Sequence, residues 1–176
     1  AHPQAEMASL NMGSLNFGDE VYCNALPDVR RWVRAMDAAG VRPSLEIFDT
    51  GHLETALHLI SDGLLRPPYN FSFIFDVCWG MPYHPTLLTY LISRLPPESR
   101  WGALFIGSRD FSRHLEAAGK GAAFVRVGFE DSTTYDGKTA TSNAELVFAA
   151  RAVLERGGFT IAGPDEARSI LLGPRG

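Results

Sequence analysis

The run Arg126-Val127-Gly128-Phe129-Glu130-Asp131-Ser132 sets one cation and two acids at the end of a strand predicted over 123–128. Alternation along that strand predicts that Arg126, Gly128 and Glu130 share one side, while Val125, Val127 and Phe129 share an apolar side buried against helices. Charges turned toward a sheet interior cost on the order of several kcal/mol each unless they pair, bind metal or meet substrate. A carboxylate there suits proton transfer or metal ligation, and a guanidinium suits bidentate grip on an anion. Two other predicted strand ends carry polar groups in the same alternating way: Ser9 and Asn11 among Ala8 and Leu10, and Glu46 between Leu45 and Ile47. Polar strand ends facing one cavity are how parallel barrels build active sites. Plainer readings stand beside these. Glu130 and Arg126 can form a structural ion pair, Asp131 can cap the following turn, and Ser9, Asn11 and Glu46 can satisfy loop amides.

The elements that must position these groups read as a βα rhythm, the mark of a parallel sheet. Strands are predicted over 6–11, 44–48, 71–77, 101–107 and 123–128. Between them, Val29, Trp32, Val33 and Met36 recur at helical spacing up to Gly40, and Leu53, Ala56, Leu57 and Ile60 form the face of a second helix. A third, with Leu87, Leu88, Leu91 and Ile92, is stopped by Pro96-Pro97, and a weaker one spans 111–118. Ser142 and Glu145 form a capping box at the start of a long helix, and a short helix begins at Pro164. Phe71, Phe73 and Phe75 alternate along one strand as core. These amount to about five βα units, whereas a closed (β/α)8 barrel takes roughly 250 residues. The expectation is an α/β fold with a parallel sheet in one domain over 1–176, too short to be a complete barrel of that kind.

Composition narrows the function classes. The chain has 176 residues, 45% hydrophobic and 20% charged, which suits a globular domain with a sizeable core. A net charge of -4 without a Lys/Arg block gives no footprint for nucleic acid. Cys23 and Cys78 have neither disulfide-framework nor metal spacing, which favours reduced thiols in a cytoplasmic protein. No leader-like opening or membrane-length apolar run is read, and the sequon at Asn70-Phe71-Ser72 is read as chance.

Three ordered blocks, residues 5–18, residues 45–53, and the run 126–131 followed by 142–147, resemble the β-keto acid cleavage enzymes, and the likeness extends from about residue 5 to 172. That resemblance implies a TIM-like (β/α)8 barrel of which this chain covers the C-terminal five βα units, the N-terminal units being absent. It implies a zinc-dependent transferase that condenses a β-keto acid with acetyl-CoA, giving acetoacetate and a new acyl-CoA, with a role in amino acid degradation. By the same resemblance Glu130 is a metal ligand that works with a His-x-His element, Asp131 is the base that deprotonates the keto acid, and Arg126 orients Asp131 and the anionic substrate. Ser9, Asn11 and Glu46 line the substrate pocket, where Glu46 suits a cationic or polar substituent. The sequence has no His-x-His; its histidines, His2, His52, His58, His84 and His114, are scattered, and His52 stands near the pocket rim or caps its helix. Gly107-Ser108-Arg109, between a strand and a helix, suits a coenzyme A phosphate by analogy. A homo-oligomer, tetrameric, is also implied. Rival readings are a metal-dependent aldolase or lyase on the same barrel, and a noncatalytic partial barrel lacking the His-x-His element.

Overall fold

A computed structural model describes residues 5–173. In chain order the elements are β1 (Met7–Asn11), β2 (Leu15–Phe17), β3 (Glu20–Tyr22), α1 (Leu26–Ala38), β4 (Arg42–Ile47), α2 (Thr50–Ser61), β5 (Tyr69–Phe75), α3 (Pro85–Ser93), β6 (Ser99–Phe105), α4 (Ser112–Gly119), β7 (Phe124–Val125), β8 (Thr134–Tyr135), β9 (Lys138–Thr139), α5 (Asn143–Arg156) and α6 (Pro164–Leu172). Strands β1, β4, β5, β6 and β7 form one sheet in that order, with every pair parallel. This is the partial TIM-like barrel expected of the sequence.

The pleat gives the sheet two unlike faces. Leu10, Leu45, Ile47, Phe71, Phe73, Phe75, Trp101, Ala103 and Phe105 all point to one side, where they merge with Val29 and Val33 of α1, Leu53, Ala56 and Leu59 of α2, Leu88 and Leu91 of α3 and Ala117 of α4. The Phe75 and Phe105 rings stack at 5.6 Å, and Phe73 meets Trp101 at 5.8 Å. The parallel register pairs Asn11 with Glu46, Glu46 with Ser72, and Ile74 with Leu104, so these alternate residues share the opposite face. There the Ser44 and Ser72 hydroxyls lie 2.9 Å apart. Asn70 of the sequon is fully buried and its amide donates to the Leu171 carbonyl of α6 at 2.9 Å.

Local chemistry sets the helix ends. Asp49 accepts the Gly51 amide at the start of α2, and the His84 ring does the same for Thr86 in α3. At α5 the Ser142 hydroxyl accepts the Glu145 amide, but the Glu145 carboxylate reaches back to the Thr141 amide and hydroxyl rather than to Ser142. Those bonds hold the Glu145 carboxyl down at about 2.

The strand limits correct the sequence reading. β4, β5 and β6 each begin two residues before the predicted start, because Arg42, Asn70 and Arg100 pair through their backbones whatever their side chains. The strand predicted over 123–128 shrinks to Phe124–Val125, and Phe129, placed on a buried face by alternation, is exposed. The cause is a turn: the amides of Asp131 and Ser132 both donate to the Gly128 carbonyl. Two small hairpins, β2–β3 and β8–β9, are additions to the predicted elements.

Phe73 is fully buried between the sheet and its helices. Phe73→Ala is expected to lower unfolding free energy by about 3–5 kcal/mol, measured by chemical denaturation; a loss below about 1 kcal/mol would show that the core closes over the gap.

Candidate functional site

Ser9, Asn11, Glu46, Arg126 and Glu130 line a single cavity of about 740 Å³ at the ends of the parallel strands. Phe48, Ile74, Val77, Leu104 and Ile106 form its apolar wall, and the β2–β3 hairpin contributes Phe17, Glu20, Val21 and Tyr22. Asp131 lies behind this lining, against Arg126.

Arg126 organises the charged end. Its Nε donates to Asp131 Oδ2 at 3.1 Å and its Nη2 to Asp131 Oδ1 at 2.7 Å, a bidentate grip on a side chain that is 5% exposed. Nη2 also pairs with the Glu130 carboxylate, which is 82% exposed, and Nη1 stands 3.8 Å from Glu46 Oε1. Glu130 and Asp131 reach the same guanidinium because the turn at Gly128 brings both back over it. Strand alternation is therefore not what gathers them.

One guanidinium among three carboxylates leaves an excess of negative charge. Burial pushes the Asp131 carboxyl above the usual aspartate range; Arg126 opposes this and the Glu130 charge adds to it. Burial likewise raises Glu46, with Arg126 opposing and both neighbouring acids adding. A carboxylate poised nearer neutrality is a better proton acceptor for a weak carbon acid than one held far below it.

None of the described histidines is placed with Glu130 to hold a metal ion, and His2 lies outside the described residues. His52 neither caps its helix nor reaches the rim: it is buried, accepting the Phe48 amide at Nδ1 (3.3 Å) and donating from Nε2 to the Ser14 carbonyl (3.2 Å). Burial holds it below the usual histidine range, in keeping with that neutral form. His58 pairs with Asp62, His84 caps α3, and His114 is buried beside Arg126. Among the described residues no group of three or more His, Cys, Asp or Glu side chains is placed to hold a metal ion. With Glu130 turned to Arg126, these residues do not by themselves fit a three-ligand zinc centre.

Gly107-Ser108-Arg109 does not make the expected anion cradle either. The Gly107 amide donates to the Asp131 carbonyl, the Ser108 amide to Phe105, and the start of α4 is already met by the Asp110 carboxylate. Sequence reasoning also passed over the two segments that frame the cavity. The hairpin is tied at its base by the Asn24 amide on Ser14 Oγ (2.7 Å) and at its far strand by Asn11 Nδ2 on Tyr22 Oη (2.7 Å). The loop after β5 is pinned by Asp76, which accepts the Tyr83 amide at 2.8 Å and pairs with Arg113, and by the Met81 amide on the Phe48 carbonyl at 2.9 Å. This loop sets Val77 and Cys78 on the cavity wall and leaves Trp79 71% exposed at φ +70°.

The family model for beta-keto acid cleavage enzyme matches residues 1–172. Among curated proteins, the 3-keto-5-aminohexanoate cleavage enzyme of Acetoanaerobium sticklandii is 36% identical, over 94% of this chain and 61% of its own length. The 3-dehydrocarnitine:acetyl-CoA trimethylamine transferase of Rhizobium meliloti is 35% identical, over 94% of this chain and 56% of its own. The chain thus spans about three fifths of the length of the curated relatives it matches. A solved structure titled a binary complex of ObcA with oxaloacetate superposes with a TM-score of 0.79 at 22% identity, covering 94% of this chain and 45% of that one, a likeness of fold.

A Cβ at Gly13 would stand 2.5 Å from His52 Cδ2 and 2.8 Å from its Nε2. Gly13→Ala is expected to push the ring off the Ser14 carbonyl, loosen the hairpin and cost about 1–3 kcal/mol of stability. Chemical denaturation checks the cost, and an unchanged midpoint would show that the ring moves aside freely.

Proposed function

Because the chain belongs to the β-keto acid cleavage enzyme family, we propose that the protein condenses a β-keto acid with acetyl-CoA and cleaves the adduct to acetoacetate and a new acyl-CoA. The observation that carries this is the Arg126–Asp131 bidentate pair, with Arg126 in the cavity lining, Asp131 directly behind it, and the Asp131 carboxyl raised by burial. Asp131 takes a proton from the methylene between the keto and carboxylate carbons. The carbanion attacks the thioester carbonyl and the coenzyme A thiolate leaves. That thiolate then adds to the original keto carbonyl, the carbon–carbon bond breaks toward acetoacetate, and protonated Asp131 returns its proton to the leaving carbanion. Arg126 keeps the Asp131 carboxylate aimed through these steps and supplies positive charge next to the developing enolate.

The acid-rich lining bears on the substrate. Glu20, Glu46 and Glu130 face the cavity, and among the described residues Arg126 is the one basic residue in its lining. An anion alone meets net repulsion there, so a keto acid carrying a cationic or polar substituent near Glu46 fits better. The relatives named for 3-keto-5-aminohexanoate and 3-dehydrocarnitine act, by those names, on substrates that include an amine nitrogen. Ser9 and Asn11 line the same end and complete the polar wall. Zinc belongs to the proposal only with ligands beyond Glu130. The same reading makes the protein a cytoplasmic homo-oligomer, a tetramer by family resemblance, and exposed Phe129, Val147 and Phe148 supply apolar surface for such contacts.

Turnover of a panel of β-keto acids with acetyl-CoA, read as acetoacetate formation, tests the reading; no product from any member overturns it. Asp131→Asn is expected to lower kcat by about 10²–10⁴-fold, and near-normal turnover would remove Asp131 as base. Because Asp131 must be ionised to accept a proton and its carboxyl lies above the ordinary value of about 4, the acid limb of the pH–rate profile is expected above that value. Glu130→Gln removes a neighbouring negative charge and is expected to move that limb to lower pH; a move upward would reverse the assignment. Elemental analysis of the 176-residue chain is expected to find well under one zinc per chain. A stoichiometric ion would mean that other side chains of the chain complete the set.

A further inference from the structure

β7 pairs with β6 only through Phe124 and Val125, and among the described residues no strand lies on its other side. Arg126 follows the last β6–β7 pair, and its carbonyl lies outside that ladder. What meets that carbonyl is a side chain: Nε2 of His114, from α4, at 3.2 Å. A carbonyl oxygen can only accept, so Nε2 carries the hydrogen. The ring is 3% exposed and sits edge-on to Phe105 at 4.9 Å and to Phe111 at 5.5 Å. Nδ1 is buried without a hydrogen-bond partner among the described residues, which matches a bare, neutral nitrogen. A second strap lies close by, the Gly107 amide on the Asp131 carbonyl at 2.8 Å. Both members of the bidentate pair thus have their main chains tied to the stretch that runs from the end of β6 into α4.

We propose that His114 is a positioning residue for Arg126, standing as the neutral Nε2–H tautomer against the Arg126 carbonyl and fixing the backbone from which the guanidinium reaches Asp131, Glu130 and Glu46. The inference rests on the reading of Arg126 and Asp131 as the reacting pair. Its physical basis is reach. An arginine side chain is long and flexible, and two parallel hydrogen bonds to one carboxylate survive only if its Cα stays put. A displacement of about 1 Å at a reacting group costs on the order of 10²-fold in rate. The aromatic box holds the imidazole plane, and the imidazole holds the carbonyl.

The test compares the full chain with His114→Phe, which keeps an aromatic ring and loses the donor, and His114→Gln, which restores an N–H at similar reach. Nitrogen-edited NMR of the wild type is expected to show His114 protonated at Nε2 and not at Nδ1; the opposite tautomer overturns the proposal before any substitution is made. Hydrogen exchange of the Arg126 Nε–H, which is bonded to Asp131, is expected to quicken at least tenfold in His114→Phe and to stay within about threefold in His114→Gln. Turnover with the keto-acid panel is expected to follow the same order, with kcat falling in His114→Phe while KM for acetyl-CoA stays near the wild-type value. Equal exchange in all three proteins, or equal loss in both variants, would mean that His114 only fills space, and the proposal fails. If the wild type turns over no substrate, the proposed reaction fails instead, and the exchange and tautomer measurements still decide the role of His114.

Discussion

Everything in this chain hangs on the two-sidedness of the parallel sheet. Phe71, Phe73, Phe75, Trp101 and Phe105 fill the helix-facing side so completely that the register cannot slip by one residue without turning them toward the cavity. That constraint sends Glu46, Ser72 and Asn11 the other way. The polar face thus exists because the apolar face is so strongly specified, and the Glu46 carboxylate inherits its place from phenylalanines on the other side of the sheet.

A second level of control lies beyond the ladder. The residues of greatest chemical interest, Arg126 to Asp131, belong to no strand, and their arrangement is made by side chains and loop amides. The Asn143 carboxamide oxygen accepts the Phe129 amide at 2.8 Å, the Gly107 amide holds Asp131, and the His114 ring meets Arg126. Three separate elements thus converge on one short turn. An irregular segment tied in this way can be rigid without regular structure, which suits a site that must present charge to a ligand.

Much of the architecture was legible in the sequence because it depends on local periodicity. The order of the parallel strands' βα units, the helices that α1 to α6 became, and the buried phenylalanines all followed from apolar spacing and capping residues. The hairpins did not, although each carries a two-residue turn signal: Gly18-Asp19, with Gly18 at φ +63°, and Asp136-Gly137, at φ +47° and +75°. Their flanking strands are too short for periodicity to register. At the candidate site the residue types were readable and the geometry was not. Alternation placed Arg126 and Glu130 on one face for the wrong reason, since the turn at Gly128 depends on contacts from distant parts of the chain. The same long-range bonds explain why Gly107-Ser108 looked like an anion cradle: sequence cannot show that an amide is already spent on Asp131.

The loop after β5 carries an optical consequence. It is bound at several points, yet holds the Trp79 indole out in water one residue beyond Cys78 of the cavity wall. Trp101 is buried in the core and Trp32 packs against it. The three indoles therefore sit in unlike dielectric surroundings, and Trp79 contributes the red-shifted, quencher-accessible part of the emission. A molecule that enters the cavity and presses on Val77 and Cys78 changes the surroundings of that one fluorophore, so the chain carries its own luminescent gauge of occupancy.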